Sequence, residues 1–160
     1  TKIAPNTPEY RGFVAMLTEL CQALAMQIIC DGEGVTRIMR IEVSGAKTEA
    51  MAVRIGRAVA DSPLFKCALH AGDANWGRII AAIGKADRAV DPARTTVYLD
   101  KTMLIDHGEP AKFNPATLQR IMQQTCVPIR IDLGLGGAAT TILGCDLSRD
   151  YITINADYHT

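Results

Sequence analysis

The stretch RIMRIEVSGAKTEAMAVRIGRAVA, Arg37 to Ala60, decides the fold class of this chain. From Arg37 to Val43, two sets of side chains alternate in the period of a strand: Ile38, Arg40 and Glu42 against Met39, Ile41 and Val43. From Thr48 to about Ala60, apolar side chains recur at helical spacing: Met51, Ile55, Ala58 and Val59. The stretch therefore predicts a strand followed by a helix.

A long helix is predicted before this strand. Thr7-Pro8 supplies an N-cap followed by a proline in the first turn. Apolar residues then recur on one helical face: Phe13, Met16, Leu17, Leu20, Cys21, Leu24, Ala25 and Ile28. Gly32 and Gly34 end this helix, which we expect to be amphipathic and packed on a flat surface.

The rest of the chain predicts more strands than helices. The expected strands are Phe65 to Leu69, Thr95 to Leu99, Met103 to Ile105, Ile129 to Leu135, Ala139 to Cys145 and Tyr151 to Asp157. The expected helices are Arg78 to Ile83 and Asn114 to about Gln124. Two of the strands form a hairpin at Gly136-Gly137 in this interpretation. This order favours an α+β fold, with mixed sheets flanked by helices, over a doubly wound parallel sheet.

Composition limits the classes of protein that fit. With 160 residues, 48% of them hydrophobic and 21% charged, the chain is long enough for one domain, residues 1–160, with a sizeable core. Seventeen basic and seventeen acidic residues cancel, so no net field attracts nucleic acid or an anionic membrane. Apolar runs are short and no leader opens the chain. We therefore expect a cytoplasmic protein without membrane contact.

The cysteines and histidines do not predict a metal site. Five scattered cysteines form no C-x-x-C pair, and three histidines show no ligand spacing with them. We expect the cysteines to be small core residues. Gly134 to Gly137 is not a phosphate loop either, because a β-branched segment rather than a helix follows it. We expect neither a metal nor a cofactor.

Two loops carry residues that are candidates for a functional role as well as a structural one. In Asp31-Gly32-Glu33-Gly34, glycine lets the backbone turn sharply, so Glu33 can point into a pocket to hold an ammonium group or take a proton. An ordinary helix stop with exposed acids explains the same pattern. Asp73 to Arg78 places polar groups and the one tryptophan, Trp76, at a helix start, where a cap and a core anchor are the plainer explanation.

Five motifs in order resemble the C-terminal part of the ornithine acetyltransferase family, also called bifunctional glutamate N-acetyltransferase. They are Asp31 to Arg37, Ser62 to Lys66, Gly72 to Arg78, Gly144 to Leu147 and Asn155 to Thr160. The resemblance runs from about Phe13 to the final residue. It implies the layered α/β sandwich of the ornithine acetyltransferase type and a role in arginine biosynthesis.

The resemblance also implies a mechanism. Family members cut themselves before a threonine, which becomes the N-terminal nucleophile of the second chain, takes acetyl from N-acetylornithine and passes it to glutamate. The two chains form a heterotetramer, and the oxyanion donors belong to the N-terminal (alpha) chain. Thr1 departs from the family's Ala-Thr-Met-Leu setting, because Lys2-Ile3-Ala4 follows it. We therefore expect Thr1 to be a trimmed end, with Thr1 as the nucleophile the less favoured alternative, so the catalytic residue stays unassigned in this chain.

Three residues carry over as substrate-binding residues by the same resemblance: Glu33, Asn155 and Thr160. A carboxylate, an amide and a hydroxyl suit an amino-acid substrate that bears both ammonium and carboxylate groups. Trp76 and Arg78 are expected as structural support, with Asp73 as a supporting partner. Two other classes of protein remain open: a non-catalytic amino-acid-binding module, and a self-cleaving N-terminal-nucleophile hydrolase or aminopeptidase that prefers water as the acceptor.

Overall fold

A computed structural model describes residues 3–158 and contains one six-stranded mixed sheet with helices against it. The helices are α1 (Pro8–Cys30), α2 (Glu49–Ala60), α3 (Pro63–Ala71), α4 (Trp76–Ala86), α5 (Pro115–Met122) and α6 (Arg149–Asp157), with a 3₁₀ turn at Pro92–Arg94. The strands are β1 (Ile38–Ala46), β2 (Thr96–Leu99), β3 (Thr102–Asp106), β4 (Glu109–Pro110), β5 (Cys126–Asp132) and β6 (Ala138–Cys145). The α+β prediction is confirmed.

The sheet has the order β4-β3-β2-β5-β1-β6, and only β1 and β5 run parallel. Alternation along the strands sends one set of side chains into the core, among them Ile41 and Ile129, which are opposite one another in the register. Helix α2 packs closely on this face, because a Cβ at Gly56 would lie 2.6 Å from Ile142 Cγ1. The opposite face carries exposed polar side chains, including Arg40 and Arg130.

The prediction of a strand at Phe65 to Leu69 is wrong, because these residues lie in α3. Ser62 caps this helix by accepting a hydrogen bond from the Phe65 backbone N–H at 3.3 Å, and Pro63 occupies the first turn. Phe65 and Leu69 are both buried and four residues apart, so they share one helical face. Ser62-Pro63 is therefore the start of the helix.

The predicted hairpin at Gly136-Gly137 is also wrong, because β5 and β6 are not neighbours. Strand β1 lies between them, parallel to β5 and antiparallel to β6. The connection crosses the end of β1, where the backbone N–H groups of Leu135 and Gly136 donate to Gly45 O at 2.7 and 2.8 Å. Local alternation predicted the strands correctly but could not show which strand lies between them.

Helix α1 has no buried residue among residues 3–158, and only Met26 and Ile29 of the helix are half-buried there. Its apolar residues include Leu20 at 55% and Ile28 at 73% exposure. One groove beside the helix lies against β6 and the end of α2, and Ala25, Ile29 and Ile142 are among the residues that line it. We expect the apolar face of α1 to pack on a flat surface, but most of this face is not covered by residues 3–158.

By length and composition alone, α1 is long and apolar enough to cross a membrane. Its runs of consecutive apolar residues are short, but the helix as a whole is 23 residues long and mostly apolar. A helix that packs against another part of a protein passes the same test, so this finding is weak evidence for a membrane span.

Candidate functional site

The Asp31 to Gly34 loop leaves the end of α1 and lies against the start of α6. Helix α1 ends at this loop, where the Asp31 backbone N–H donates to Gln27 O at 3.0 Å. Gly34 has a φ of +65°, and a Cβ there would lie 2.5 Å from the Tyr151 backbone nitrogen and 2.7 Å from Ser148 Oγ. Only glycine fits this position without displacing α6. The close approach fixes where the adjacent Glu33 side chain lies.

The strand predicted for Tyr151 to Asp157 is wrong, because these residues form most of helix α6. Ser148 is buried and caps the helix, with its Oγ accepting from the Tyr151 N–H at 3.1 Å. The helical turn brings Asn155 above Tyr151, so the Asn155 side chain reaches the Tyr151 carbonyl at 2.9 Å. Local periodicity here fits both a strand and a helix. The N-cap residue Ser148 is the sequence feature that distinguishes the helix from the strand.

Glu33 and Asn155, both assigned by resemblance, lie in contact. Asn155 Nδ2 donates to Glu33 Oε2 at 2.8 Å. A carboxylate and a backbone carbonyl only accept hydrogen bonds, so both amide hydrogens of Asn155 are used, on Glu33 and Tyr151. The Asn155 Oδ1 atom and the second Glu33 oxygen are then two acceptors close together at an exposed site. Two such acceptors match the hydrogen-bonding needs of an ammonium group.

A cavity of about 270 Å³ opens beside Glu33, between the loop, α3 and α6. Its wall includes the side chains of Glu33, Asp61, Lys66 and Tyr151. Lys66 is the single basic residue of this lining, and none of the ion pairs among residues 3–158 involves it. The cavity therefore combines acidic groups with one cation, as recognition of a zwitterionic molecule requires.

Asp146 forms the buried end of this cavity and is held by hydrogen bonds. Its carboxylate accepts from the Thr36 backbone N–H at 3.0 Å, from the Thr36 hydroxyl, and from His70 Nδ1 at 3.0 Å. Burial acts to raise the pKa of Asp146, but hydrogen bonds from Thr36 and His70 and from the Arg37 backbone outweigh it, so the pKa lies below its ordinary value. Asp146 is therefore a buried anion.

The Asp73 to Arg78 loop has the structural role expected for it. Asn75 caps α4 by accepting from the Arg78 N–H at 3.2 Å, and Asp73 accepts from Asn75 Nδ2 at 3.0 Å. The Arg78 guanidinium donates to Leu64 O at 2.6 Å, and Trp76 packs against the core. None of these contacts reaches Glu33, so this loop braces α3 against α4.

The prediction that the cysteines are core residues is wrong for three of the five. Cys21, Cys30 and Cys67 are exposed, whereas Cys126 and Cys145 are half-buried. Burial raises the pKa of the Cys126 thiol. Among residues 3–158, no cluster of three His, Cys, Asp or Glu side chains has a geometry that suits a metal ion. Thr1 and Thr160 lie outside the described residues, so their predicted roles remain predictions.

Sequence reasoning missed Asp146, His70 and Lys66 as parts of the site. Asp146 and Lys66 lie within two of the five motifs, but neither was given a role. His70 was considered only as a metal ligand, and it has no ligand spacing with the cysteines. Their proximity to Glu33 depends on the packing of α3 and β6, which no local pattern displays.

The fold and the site together define an α+β domain with a small polar cavity between a glycine loop and a terminal helix. The sequence model of the ArgJ family matches residues 1–160, and the chain belongs to the ArgJ family.

Relatives and a solved structure agree with this assignment. The arginine biosynthesis bifunctional protein ArgJ of Geobacillus kaustophilus (strain HTA426) is 40% identical over 159 residues, and that of Staphylococcus aureus (strain Mu50 / ATCC 700699) is 40% identical over 158 residues. Each match covers 99% of this chain but only 39% and 38% of the relative. The crystal structure of the Bacillus halodurans protein of the same name superposes with a TM-score of 0.94 at 33% identity, over 99% of this chain and 75% of that chain.

Proposed function

We propose that this chain is the substrate-binding part of a glutamate N-acetyltransferase that moves acetyl from N-acetylornithine to glutamate in arginine biosynthesis. The observation that carries the proposal is the contact of 2.8 Å between Asn155 and Glu33. It joins two residues that resemblance alone had assigned to one amino-acid site. Membership of the ArgJ family supports the same reaction class.

The proposed chemistry has two balanced steps. A threonine hydroxyl attacks the acetyl carbonyl of N-acetylornithine, a C–O bond forms, the C–N bond breaks and ornithine leaves with the proton. The glutamate amine then attacks the acetyl ester, which yields N-acetylglutamate and restores the hydroxyl. Because this chain spans about two fifths of the curated relatives, we assign the nucleophile and the oxyanion donors to residues outside it.

Within this reaction, the described residues hold the amino-acid part of the substrate. In N-acetylornithine the α-amine carries the acetyl group, so Glu33 Oε1 and Asn155 Oδ1 accept from the side-chain ammonium group, since the other polar atoms of both side chains already have partners. Lys66 supplies a positive charge in the same cavity for the carboxylate. Thr160 completes the site in this proposal, as the resemblance implies.

We further propose that the protein acts in the cytoplasm as a hetero-oligomer of two chains made by self-cleavage. The exposed apolar residues of α1, among them Leu20 and Ile28, then pack against the other chain rather than against lipid.

The test is an acetyl-transfer assay with the full-length protein that contains this chain. N-acetylornithine with an isotope-labelled acetyl group is incubated with glutamate, and N-acetylglutamate is measured by mass spectrometry. We expect labelled N-acetylglutamate and an equal amount of ornithine. Release of free acetate without N-acetylglutamate would favour the hydrolase class, and amino-acid binding without any turnover would favour the binding module.

A further inference from the structure

Three side chains from three separate segments meet at Asp146, which lines the cavity, and we name Thr36, His70 and Asp146 the Asp146 cluster. Thr36 precedes β1, His70 is in the last turn of α3, and Asp146 follows β6. His70 Nδ1 lies 3.0 Å from Asp146 Oδ2 and 3.2 Å from Thr36 Oγ1. The Asp146 side chain has no exposure, whereas 33% of the His70 side chain is exposed.

The cluster is not a nucleophile relay, although it contains a hydroxyl, an imidazole and a carboxylate. In a relay, the carboxylate and the hydroxyl use opposite ring nitrogens of the histidine. Here both contact Nδ1, and the Thr36 hydroxyl donates directly to Asp146. The Thr36 backbone N–H donates as well. The carboxylate therefore serves as a common acceptor that ties the elements together.

The two segments that Asp146 joins are those that carry the proposed substrate-binding residues. Thr36 follows Glu33 by three positions, on the same loop. Ser148 follows Asp146 by two positions and caps α6, which carries Asn155. The tight approach of Gly34 to Ser148 shows that the loop and the helix start are already in van der Waals contact.

We propose that Asp146 is a positioning residue that sets the distance between Glu33 and Asn155 by fastening the Thr36 segment to the start of α6. The inference rests on the proposed function, since it acts through Glu33. Asp146 itself touches no substrate in this account. Loss of the fastening lets the two acceptors separate, and a displacement of about 1 Å in a binding group can cost on the order of a hundredfold in rate.

The test uses the full-length protein and two substitutions in the cluster. Asp146→Asn removes the negative charge, and Thr36→Val removes the hydroxyl donor at nearly constant volume. We expect each to lower kcat/KM for N-acetylornithine by about tenfold to a hundredfold, mainly through KM. Thr36→Ser, which keeps the hydroxyl, should retain activity within about threefold of wild type. If Asp146→Asn fails to fold, the comparison of Thr36→Val with Thr36→Ser still tests the inference.

A matched control separates positioning from general stability. Asp87 also joins two elements, because its carboxylate pairs with Arg54 of α2 at the end of α4, away from the cavity. Asp87→Asn should leave kcat/KM within about twofold of wild type.

A double-mutant cycle with Glu33→Gln decides the inference. If Asp146 and Thr36 act through Glu33, Asp146→Asn and Thr36→Val should each change kcat/KM by less than about threefold when Glu33→Gln is already present. Equal effects in both backgrounds, or no effect of either variant alone, would overturn the inference while leaving the proposed function intact. Wild-type kinetics for Glu33→Gln would instead contradict the proposed substrate-binding function of the site, and the inference, which rests on that function, would fail as well.

Discussion

Asn155 and Glu33 are separated by 122 positions in the sequence and joined by a hydrogen bond of 2.8 Å. The glycine loop after α1 and the cap of α6 bring them together, and each of these features depends on a specific residue. Among residues 3–158, the contact leaves Glu33 Oε1 and Asn155 Oδ1 without a hydrogen-bond partner, and Glu33 lines a cavity that also contains Lys66. This arrangement makes several outcomes of substitution predictable.

Asn155→Ala should weaken substrate binding while α6 remains helical. Alanine is the best helix former, so the helix loses the amide but gains intrinsic propensity. We expect KM for N-acetylornithine in the full-length protein to rise by roughly tenfold, about 1.4 kcal/mol for one lost hydrogen-bonding partner of a charged group. Thr153→Ala is the control, because the exposed Thr153 hydroxyl donates to Arg149 O within α6 and not to Glu33. Equal KM values for the two variants would contradict a binding role for Asn155.

Gly34→Ala should be costly in both stability and activity. A methyl group there meets Tyr151 N at 2.5 Å, and the backbone has a φ of +65°. We expect the free energy of unfolding to fall by about 1–3 kcal/mol, together with a loss of acetyl transfer. Urea denaturation of the full-length protein measures the first quantity. Gly137→Ala has open space around the new methyl group and should change neither; a Gly34 variant as stable and active as the Gly137 variant would show that the loop is not fixed.

The elements that were predicted correctly are those with strong local signals. Helices α2 and α5 have a capping residue followed by regular apolar spacing, as Thr48 and Asn114 illustrate. The two helices predicted as strands share one cause, because Phe65 to Leu69 and Tyr151 to Asp157 are short segments in which two periods fit equally well. In both, a serine cap, Ser62 or Ser148, distinguishes the helix from the strand.

The candidate site was only partly predictable for a different reason. Glu33 and Asn155 came from motifs, but Asp146 and His70 meet only because α3 packs beside the end of β6. His70 and Asp146 are 76 positions apart in the sequence, so no local spacing predicts their contact. Strand order failed in the same way, since the position of β1 between β5 and β6 is a long-range property.

The stability contributed by Asp146 should depend on pH in one direction. Its pKa in the folded protein lies below the ordinary value of 3.8, so the unfolded chain binds more protons in the interval between the two values. The contribution is therefore complete above about pH 5 and disappears as the pH falls through the folded pKa.

Urea denaturation of wild type and Asp146→Asn from about pH 6 to about pH 2 measures this contribution. We expect wild type to be more stable by about 1–3 kcal/mol at the upper end and the difference to shrink on acidification. A difference that stays constant, or grows, as the pH falls would contradict the assignment of Asp146 as a buried anion.

The exposed face of α1 should be a contact surface in the full-length protein. Leu20 has 55% exposure and belongs to an apolar helix without buried residues. Leu20→Glu keeps helix propensity but adds charge, so we expect it to weaken association between this chain and the rest of the protein. Sedimentation of separately produced segments measures the association. Gln27→Glu adds the same charge at an exposed polar position of α1 and should have little effect; equal association of both variants with wild-type strength would argue against a docked helix.

The measurement that tests the central claim most directly is kcat/KM for acetyl transfer by full-length Glu33→Gln. The claim is that the Glu33 carboxylate binds the substrate ammonium beside Asn155. Glutamine keeps the size but loses the charge, so we predict a fall of roughly tenfold to a thousandfold, about 1.5–4 kcal/mol, at unchanged thermal stability. Glu109→Gln is the control, since Glu109 is exposed on β4 at the opposite edge of the sheet from β6. A Glu33→Gln enzyme with the kcat/KM of wild type and of this control would contradict the account and return Glu33 to an ordinary helix stop.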